Sequence, residues 1–255
     1  MSAEVLIVRC GTVPYGEAVA AQRQVAERRR SGELPDVLLL LEHPPVYTRG
    51  RRSTPEELPM GARWYEAQGI EVRDTDRGGR VTYHGPGQLV GYPIVDLRAY
   101  GDDVHEHVRR LERVMIGALA EHGVAGGPIK GLTGVWAGGE EGPPPGASAA
   151  EVEDEVVSGV LRKIGSIGVH VSRGVTTHGL AVNVRNDLQP FEWIVPCGIE
   201  GGRATSIGRE RDGEADLDAF ADSIARRFGE IYGRTPVGAD PTDLGVDLVS
   251  VGAAR

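Results

Sequence analysis

The chain has 255 residues, of which 40% are hydrophobic and 25% are charged, and its formal net charge at pH 7 is −9. These values are ordinary for a globular protein and exclude a wholly disordered or collagen-like chain. The negative charge argues against a general nucleic-acid-binding protein, which needs a positive surface to meet phosphates. We therefore expect a globular protein that does not bind nucleic acid.

The first residues and the cysteine count indicate the compartment. Residues 1–8 contain a short apolar run with no basic region before it, which predicts a buried strand and not a signal peptide. No apolar run reaches the roughly 18 residues that a membrane-spanning helix needs. Cys10 and Cys197 are too few for a disulfide framework or a thiolate metal cage. We expect a cytoplasmic protein without a membrane segment.

The hydrophobic pattern predicts many strands and a few helices. In the first hundred residues, strands are expected at 4–9, 37–41, 70–73, 81–83 and 89–97, and helices at 14–30 and 61–68. The continuous apolar run at 37–41 is typical of a central strand that is covered on both faces. Two prolines end this strand, and the arginine- and proline-rich residues 46–60 are predicted to form a loop.

The second half of the chain follows the same pattern. The clearest helix is predicted at 102–122, where Gly123 ends it, and the last helix at about 215–232. Further strands are expected at 134–136, 160–164, 168–172 and 176–184. The connections are too short for alternating βαβ units. The sequence therefore predicts an α+β fold with a mixed, largely antiparallel sheet and helices packed on it.

Residues 137–159 differ in composition from the rest of the chain. They contain six acidic side chains, no basic one, and many glycines, prolines and alanines. Such a stretch cannot bury enough apolar area to offset the entropy of ordering it. We predict a flexible acidic insertion loop within a single catalytic domain at 1–232. Residues 233–255 are predicted to form a partly ordered C-terminal tail.

A glycine-rich corner at 77–88 is the first segment that indicates a function. It contains four glycines, Gly78, Gly79, Gly85 and Gly87. Glycines let the backbone approach a ligand closely and adopt positive φ angles. The spacing matches neither a dinucleotide-binding motif nor a P-loop. We predict that this corner binds a substrate.

Cys197 is the candidate nucleophile. Pro196 and Gly198 flank it and predict a loop in which the thiol is accessible, whereas Cys10 lies in an apolar strand and is predicted to be a small buried hydrophobe. A thiol attacks a thioester readily, and the product is again an activated thioester. A thiol with an ordinary pKa of about 8.5 is only slightly ionised near neutral pH. It therefore needs a neighbouring base.

Lys163 is the candidate base because apolar neighbours in the segment 161–165 can exclude water from its amine. Desolvation lowers the pKa of a lysine, so a neutral amine can accept the thiol proton. The spacing alone leaves open that Lys163 is an exposed strand lysine. His178, in an apolar strand, is predicted to be a hydrogen-bonded core histidine. No metal site is predicted, because no metal-ligand spacing to acidic or cysteine partners is seen for His43, His105, His107, His122 and His170.

Taken together, these motifs resemble those of the octanoyl-[acyl carrier protein]:protein N-octanoyltransferases. The resemblance is carried, in the family's order, by residues 77–93, 134–136, 162–168, 172–184 and 196–199. It covers about residues 4–232. It implies the fold of the biotin/lipoate protein ligase catalytic domain, a mixed sheet with helices on one face.

The resemblance also implies roles for individual residues. Cys197 is similar to the family's acyl-thioester nucleophile, and Lys163 to the lysine that activates it. The substrate-binding residues that it implies are Arg77, Gly78, Gly79, Arg80, Val81, Thr82, Tyr83, His84, Ser166, Ile167, Gly168, Gly179, Leu180 and Ala181. Gly165 stands where the family commonly has alanine, and we expect this change to loosen the site slightly.

The implied reaction transfers an octanoyl group from octanoyl-acyl carrier protein to the ε-amine of a lysine. The implied acceptors are lipoyl domains, those of the E2 subunits of 2-oxoacid dehydrogenases and of the glycine cleavage H protein. No cofactor, ATP or metal is expected, because the thioester is already activated. Two alternatives stay open: an ATP-dependent lipoate- or biotin-type ligase on the same fold, and a non-catalytic acyl-binding protein.

Overall fold

The computed structural model describes residues 3–139, 141–194, 202–213, 215–246 and 248. The strands are β1 (Glu4–Thr12), β2 (Asp36–Glu42), β3 (Val46–Arg49), β4 (Glu71–Asp74), β5 (Thr82–His84), β6 (Gln88–Ile94), β7 (Gly126–Ile129), β8 (Leu132–Ala137), β9 (Arg162–Ser172), β10 (Val175–Asn183) and β11 (Thr235–Ala239). The helices are α1 (Tyr15–Ser31), α2 (Ala62–Ala67), α3 (Val104–Glu121), α4 (Glu153–Val157), α5 (Gln189–Glu192), α6 (Ile207–Glu210) and α7 (Leu217–Tyr232).

The described strands form one large and one small sheet. The large sheet has the order β11-β1-β2-β6-β10-β9-β8-β7, and the small one the order β4-β3-β5. Strand β1 runs parallel to β2 and to β11, whereas the other neighbours in the large sheet are antiparallel. The predicted mixed, largely antiparallel sheet is confirmed.

Two strands differ from the sequence prediction. Strand β3 lies within the predicted loop at 46–60, and it pairs with both β4 and β5. Its Tyr47 is fully buried beside Tyr65 and Tyr83, so long-range packing and not local pattern makes this segment a strand. The segments predicted at 160–164 and 168–172 join in one strand, β9, because residues 165–167 between them remain paired with β10, and Gly165 also pairs with β8.

Helices cover both faces of the large sheet. Alternate residues of β2 point to opposite faces. Leu38 and Leu40 belong to a core cluster with α3 and α7, whereas Leu39 and Leu41 belong to a second cluster with α1. The expectation of helices on one face is therefore wrong. The physical reason is that the parallel strands β1 and β2 need a crossover connection, and α1 is that crossover.

Cys10 lies in the cluster on the α1 side of the sheet and is buried. Burial raises the pKa of its thiol to about 12, so the prediction that Cys10 is a buried hydrophobe is confirmed.

The segment after Gly233, predicted as a partly ordered tail, contributes strand β11 to the edge of the large sheet. It pairs in parallel with β1 from Glu4 to Val8. Leu244, in the short 3₁₀ turn Pro241–Leu244, is fully buried against the α1 side of the core. No helix in the described ranges has the length and apolar character needed to cross a bilayer.

The acidic insertion at 137–159 packs part of its chain on the large sheet. It contains the short helix α4, and its Ala147, Val152 and Val156 are buried in a cluster with Trp136. The amide of Lys130 donates to the Ala147 carbonyl at 2.9 Å, and the Ala149 amide donates back to the Lys130 carbonyl at 2.9 Å. The few apolar residues of the insertion bury more than its overall composition indicates, because they meet the apolar surface of β7 and β8.

Candidate active site

A cavity of about 550 Å³ is lined by residues from β5, β9 and β10, by the glycine-rich corner, and by the first turns of α3. It brings together Lys163 and most of the predicted substrate-binding residues. Those that line it are Arg77, Gly78, Gly79, Arg80, Val81, Thr82, His84, Ser166, Ile167, Gly168, Gly179, Leu180 and Ala181.

Tyr83 is the predicted substrate-binding residue that does not line this cavity. Side chains alternate along a strand, so Thr82 and His84 of β5 face the cavity and Tyr83 faces away. Tyr83 instead belongs to an aromatic cluster beneath the small sheet, where its ring lies 5.5 Å from that of Phe191. That Tyr83 binds a substrate stays a prediction; its side chain lies outside this cavity lining, because a continuous motif cannot place every side chain of a strand on one face.

The glycine-rich corner is hydrogen-bonded to β9 and packs against it. The Gly78 amide donates to the Val169 carbonyl at 2.9 Å. The Arg77 guanidinium is buried and donates to the Thr48 carbonyl at 2.7 Å and to the Thr48 hydroxyl at 2.8 Å. A Cβ at Gly168 would lie 2.9 Å from the Arg77 Cδ. A glycine is therefore needed at 168 so that the corner can pack against the strand.

A β-bulge aligns Lys163 with Trp136. Val135 pairs with Gly165, but the next residue, Trp136, pairs with Lys163, so β9 carries one extra residue at Ile164. Bulges re-aim side chains next to active sites. Here the bulge sends Ile164 into the core and leaves Lys163 on the cavity face beside Trp136. The Lys163 Nζ lies 5.6 Å from the centroid of the indole ring.

The other edge of β9 at Lys163 is paired with the chain segment 203–205. The Lys163 amide donates to the Arg203 carbonyl at 2.8 Å, and the Thr205 amide donates to the Lys163 carbonyl at 2.9 Å. This short parallel bridge takes the place that β10 occupies farther along β9. The backbone of Lys163 is therefore held on both sides, by the segment 203–205 on one edge and by β8 on the other.

A chain of buried polar groups runs from the glycine-rich corner to this bridge. The His84 Nδ1 lies 2.7 Å from the Gln88 Oε1, and the Gln88 Nε2 donates to the Asn183 Oδ1 at 2.9 Å. The Asn183 Nδ2 then donates to the Thr205 carbonyl at 2.9 Å. His84 donates through Nδ1, because the Gln88 oxygen can only accept. Burial holds the pKa of His84 well below its ordinary value, so the ring is neutral.

Two further histidines, His43 and His178, lie beside Tyr92, a residue of the cavity lining, with ring centroids 5.9 Å and 6.2 Å from that of Tyr92. His43 is fully buried between the Val13 carbonyl at 2.6 Å and the Tyr92 hydroxyl at 2.7 Å, and burial lowers its pKa to about 4. His178 is buried, and its Nε2 lies 2.7 Å from the Asp76 Oδ1. Burial lowers the pKa of His178, and Asp76 opposes this shift. His178 is a hydrogen-bonded core histidine, as predicted, and it also lines the cavity.

Some lining residues are absent from the predicted set. They include Tyr15, Tyr92, Trp136, Asn183, Phe191 and Arg203. Tyr92, Trp136 and Asn183 fall within the motifs at 77–93, 134–136 and 172–184, so the sequence offered a signal for them. The others lie outside every motif, and only the packing of distant segments brings them to the cavity.

Cys197 lies outside the described residues, as does the rest of the segment 195–201. The described residues on either side of this segment both reach the cavity. Phe191 lines it before the segment, and Gly202, Arg203 and Ala204 line it afterwards.

Comparison with known proteins identifies the family. Residues 14–229 match the model of the lipoyl protein ligase A/B catalytic domain. An octanoyltransferase of Acidobacterium capsulatum is 39% identical over 255 residues, with 96% of this chain and 97% of the relative covered. An octanoyltransferase of Mycolicibacterium smegmatis is 42% identical over 242 residues, with 94% and 95% covered.

Solved structures agree on the fold. A bi-partite lipoate protein ligase of Thermoplasma acidophilum superposes with a TM-score of 0.65 at 14% identity, covering 96% of this chain and 90% of that one. Lipoate-protein ligase A bound with ATP gives a TM-score of 0.62 at 15% identity, covering 96% and 92%. The predicted fold is thus confirmed, and the chain belongs to the lipoyl protein ligase A/B catalytic-domain family.

Proposed function

We propose that the chain transfers an octanoyl group from octanoyl-acyl carrier protein to a lysine of a lipoyl domain, with Cys197 as nucleophile and Lys163 as its base. The observation that carries the proposal is the position of Lys163 in a cavity that both flanks of the Cys197 segment also line. The relatives at about 40% identity are octanoyltransferases, which supports octanoyl as the transferred group.

The shape of the cavity suits a medium-length acyl chain. Both Lys163 and Val169 line it, and the six residue steps between them along β9 span about 20 Å. That length exceeds an extended eight-carbon acyl chain. Much of the wall is apolar, and its apolar residues include Val81, Trp136, Ile167, Leu180 and Ala181. Burial of the chain against them supplies binding energy in proportion to the apolar area removed from water.

In the first half-reaction, the Cys197 thiol gives its proton to the Lys163 amine. The sulfur attacks the carbonyl carbon of the octanoyl thioester, and the bond from that carbon to the carrier sulfur breaks. The Lys163 ammonium returns its proton to the departing carrier thiolate. Backbone amides at His84 and Gly85 are the candidate donors to the transient oxyanion.

In the second half-reaction, the lysine amine of the lipoyl domain attacks the enzyme thioester. Lys163 accepts a proton from this amine, an amide bond forms, and the bond from the carbonyl carbon to the Cys197 sulfur breaks. The proton then returns to the thiolate of Cys197. The reaction is ping-pong and consumes no ATP, since the thioester supplies the activation. The acceptors under this proposal are lipoyl domains of 2-oxoacid dehydrogenase E2 subunits and the glycine cleavage H protein, in the reducing cytoplasm.

Intact mass spectrometry after mixing with octanoyl-acyl carrier protein tests the scheme. A single octanoyl adduct is expected on the wild type, none on Cys197→Ala, and slow formation on Lys163→Ala. Cys10→Ala and Lys130→Ala are matched controls, because Cys10 is buried in the core and Lys130 is exposed outside the cavity lining. Both should form the adduct at the wild-type rate.

The same assay distinguishes the alternatives. Adduct formation on Cys197→Ala, or full turnover by that variant, would refute the nucleophile. Activity with free octanoate plus ATP, together with none from the octanoyl carrier protein, would identify an ATP-dependent ligase. Tight octanoyl binding without any adduct or turnover would identify a non-catalytic acyl-binding protein.

A further inference from the structure

Trp136 contacts the side chain of Lys163 within the sheet. The two residues are direct cross-strand partners, so their side chains lie on the same face. The Lys163 Nζ lies 5.6 Å from the indole centroid, within the range of a cation–π contact. The Trp136 Nε1 donates to the Leu132 carbonyl at 3.3 Å. This hydrogen bond restrains the ring that the Lys163 amino group faces.

Trp136 also belongs to a cluster that the acidic insertion completes. Trp136 is 2% exposed, and three of its five buried partners come from the insertion: Ala147, Val152 and Val156. The remaining two, Ile129 and Leu161, come from β7 and from the residue just before β9. Without the insertion, the cluster around the ring would lose three of its five other buried members.

The insertion is hydrogen-bonded to the neighbouring chain at both ends of its buried part. Lys130 pairs with Ala147 and Ala149 through two backbone hydrogen bonds of 2.9 Å. At the other end, the Leu161 amide donates to the Glu155 carbonyl at 2.9 Å, and the Arg162 guanidinium donates to the Gly159 carbonyl at 2.9 Å. Leu161 and Arg162 directly precede Lys163. The insertion is therefore connected to Lys163 both through the ring of Trp136 and through the backbone.

We infer that the acidic insertion supports Trp136 and that Trp136 is a positioning residue for Lys163. The ring stabilises the ammonium that Lys163 becomes when it accepts the thiol proton, and the insertion holds the ring in place for that contact. This inference rests on the proposed function, in which Lys163 is the base. It gives the insertion a role in the chemical step.

The test compares acyl-enzyme formation in Trp136→Phe and Trp136→Leu, with stopped reactions followed by intact mass spectrometry. Phenylalanine keeps an aromatic face, and leucine fills much of the space without one. Trp136→Leu should reduce the rate constant at saturating octanoyl donor by about tenfold, a larger factor than the change in the half-saturating donor concentration, because leucine keeps an apolar surface on the cavity wall. Trp136→Phe should restore most of the rate.

The insertion is tested with two neighbouring valines of α4. Val156 is 2% exposed and packs in the Trp136 cluster, whereas Val157 is 48% exposed. Val156→Ala should lower the saturated rate by about threefold because it leaves a cavity near the ring. Val157→Ala should react as the wild type does. Thermal melts of all four variants show whether each is folded at the assay temperature.

The outcomes separate this inference from the proposed function. If the wild type forms no octanoyl adduct, the proposed function fails. If the wild type reacts and Lys163→Ala is slow, the proposed base stands. In that case a wild-type rate for Trp136→Leu, or an equal loss in Trp136→Phe and Trp136→Leu, would overturn the role of the ring. Equal rates for the folded Val156→Ala and Val157→Ala variants would overturn the role of the insertion.

Discussion

Gln88 and Asn183 form a buried hydrogen bond across β6 and β10, in which the Gln88 Nε2 donates to the Asn183 Oδ1 at 2.9 Å. On one side, Gln88 accepts from His84 of β5. On the other side, Asn183 donates to the carbonyl of Thr205, whose amide donates to the Lys163 carbonyl. This pair therefore links the predicted substrate-binding corner to the backbone of the predicted base.

Asn183→Leu is expected to destabilise the protein by about 2–5 kcal/mol, because it leaves the Gln88 amide and the Thr205 carbonyl buried without this partner. Transfer activity should fall as well, since the segment 203–205 loses an anchor. Urea unfolding and the acyl-enzyme assay measure the two effects. Gln24→Leu on the exposed side of α1 is the control and should change stability by no more than about 0.5 kcal/mol. Equal stability of the two variants would contradict the role of this link.

Gly134→Ala should impair both stability and octanoyl transfer. Gly134 has a φ of +117°, and an added Cβ would overlap the Gly165 carbonyl oxygen and lie 3.0 Å from the Lys163 Cε. The backbone of β8 must then move at the point where it faces Lys163. Gly16→Ala in α1 is the matched control, since it meets nothing within 4 Å and should be neutral or slightly stabilising. Wild-type transfer by Gly134→Ala would refute this prediction.

Gly165→Ala should destabilise the protein, because the space beside this glycine is already filled. An added Cβ would lie 2.9 Å from the Sδ of Met115, which is fully buried, and 3.4 Å from the Val135 Cβ. The expectation that glycine loosens the site is therefore not supported. We expect the free energy of unfolding, measured by chemical denaturation, to fall by about 1–3 kcal/mol.

A second substitution checks the cause of that loss. Met115→Val removes the thioether that the new methyl would meet. Gly165→Ala should therefore lower the free energy of unfolding much less in the Met115→Val background than in the wild type, since the effects of contacting residues are not additive. Strict additivity in this double-mutant cycle would show that the strain has another source.

Buried neutral histidines make stability depend on pH. Burial lowers the pKa of His43 from 6.5 to about 4. Between these two pKa values, the unfolded chain binds a proton at His43, whereas the folded protein does not. The contribution of His43 to the free energy of unfolding is complete above about pH 6.5, and it is lost as the pH falls from there towards the folded pKa. Between about pH 7 and pH 5, His43 alone should contribute on the order of 2 kcal/mol to this loss.

His43→Gln tests this contribution, because glutamine can still donate to the Val13 carbonyl and accept from Tyr92 without titrating. The decrease in unfolding free energy from about pH 7 to pH 5 should be smaller in this variant than in the wild type. His105→Gln, on the exposed start of α3, is the control and should keep the wild-type dependence. An unchanged pH dependence in His43→Gln would show that His43 is not the group responsible.

Local patterns and motifs in the sequence were enough to predict the periodic elements and the family. The apolar run at 37–41 and the stripe at 102–122 each carry a local pattern that only one kind of element satisfies. Cys10 was recognisable as a buried residue because its strand neighbours are apolar. The motifs around Arg77, Lys163 and Leu180 predicted residues that do line one cavity.

Which of these residues meet, and which way their side chains point, follows from the folding of the chain. Tyr83 turns away from the cavity because of strand alternation, and Lys163 faces Trp136 because of a one-residue bulge. The crossover of α1 to the second face, the bridge from Lys163 to 203–205, and the packing of the insertion on Trp136 all join segments distant in sequence. Such contacts depend on sheet register and on long-range burial, whereas a sequence pattern reports only the neighbours of each residue along the chain.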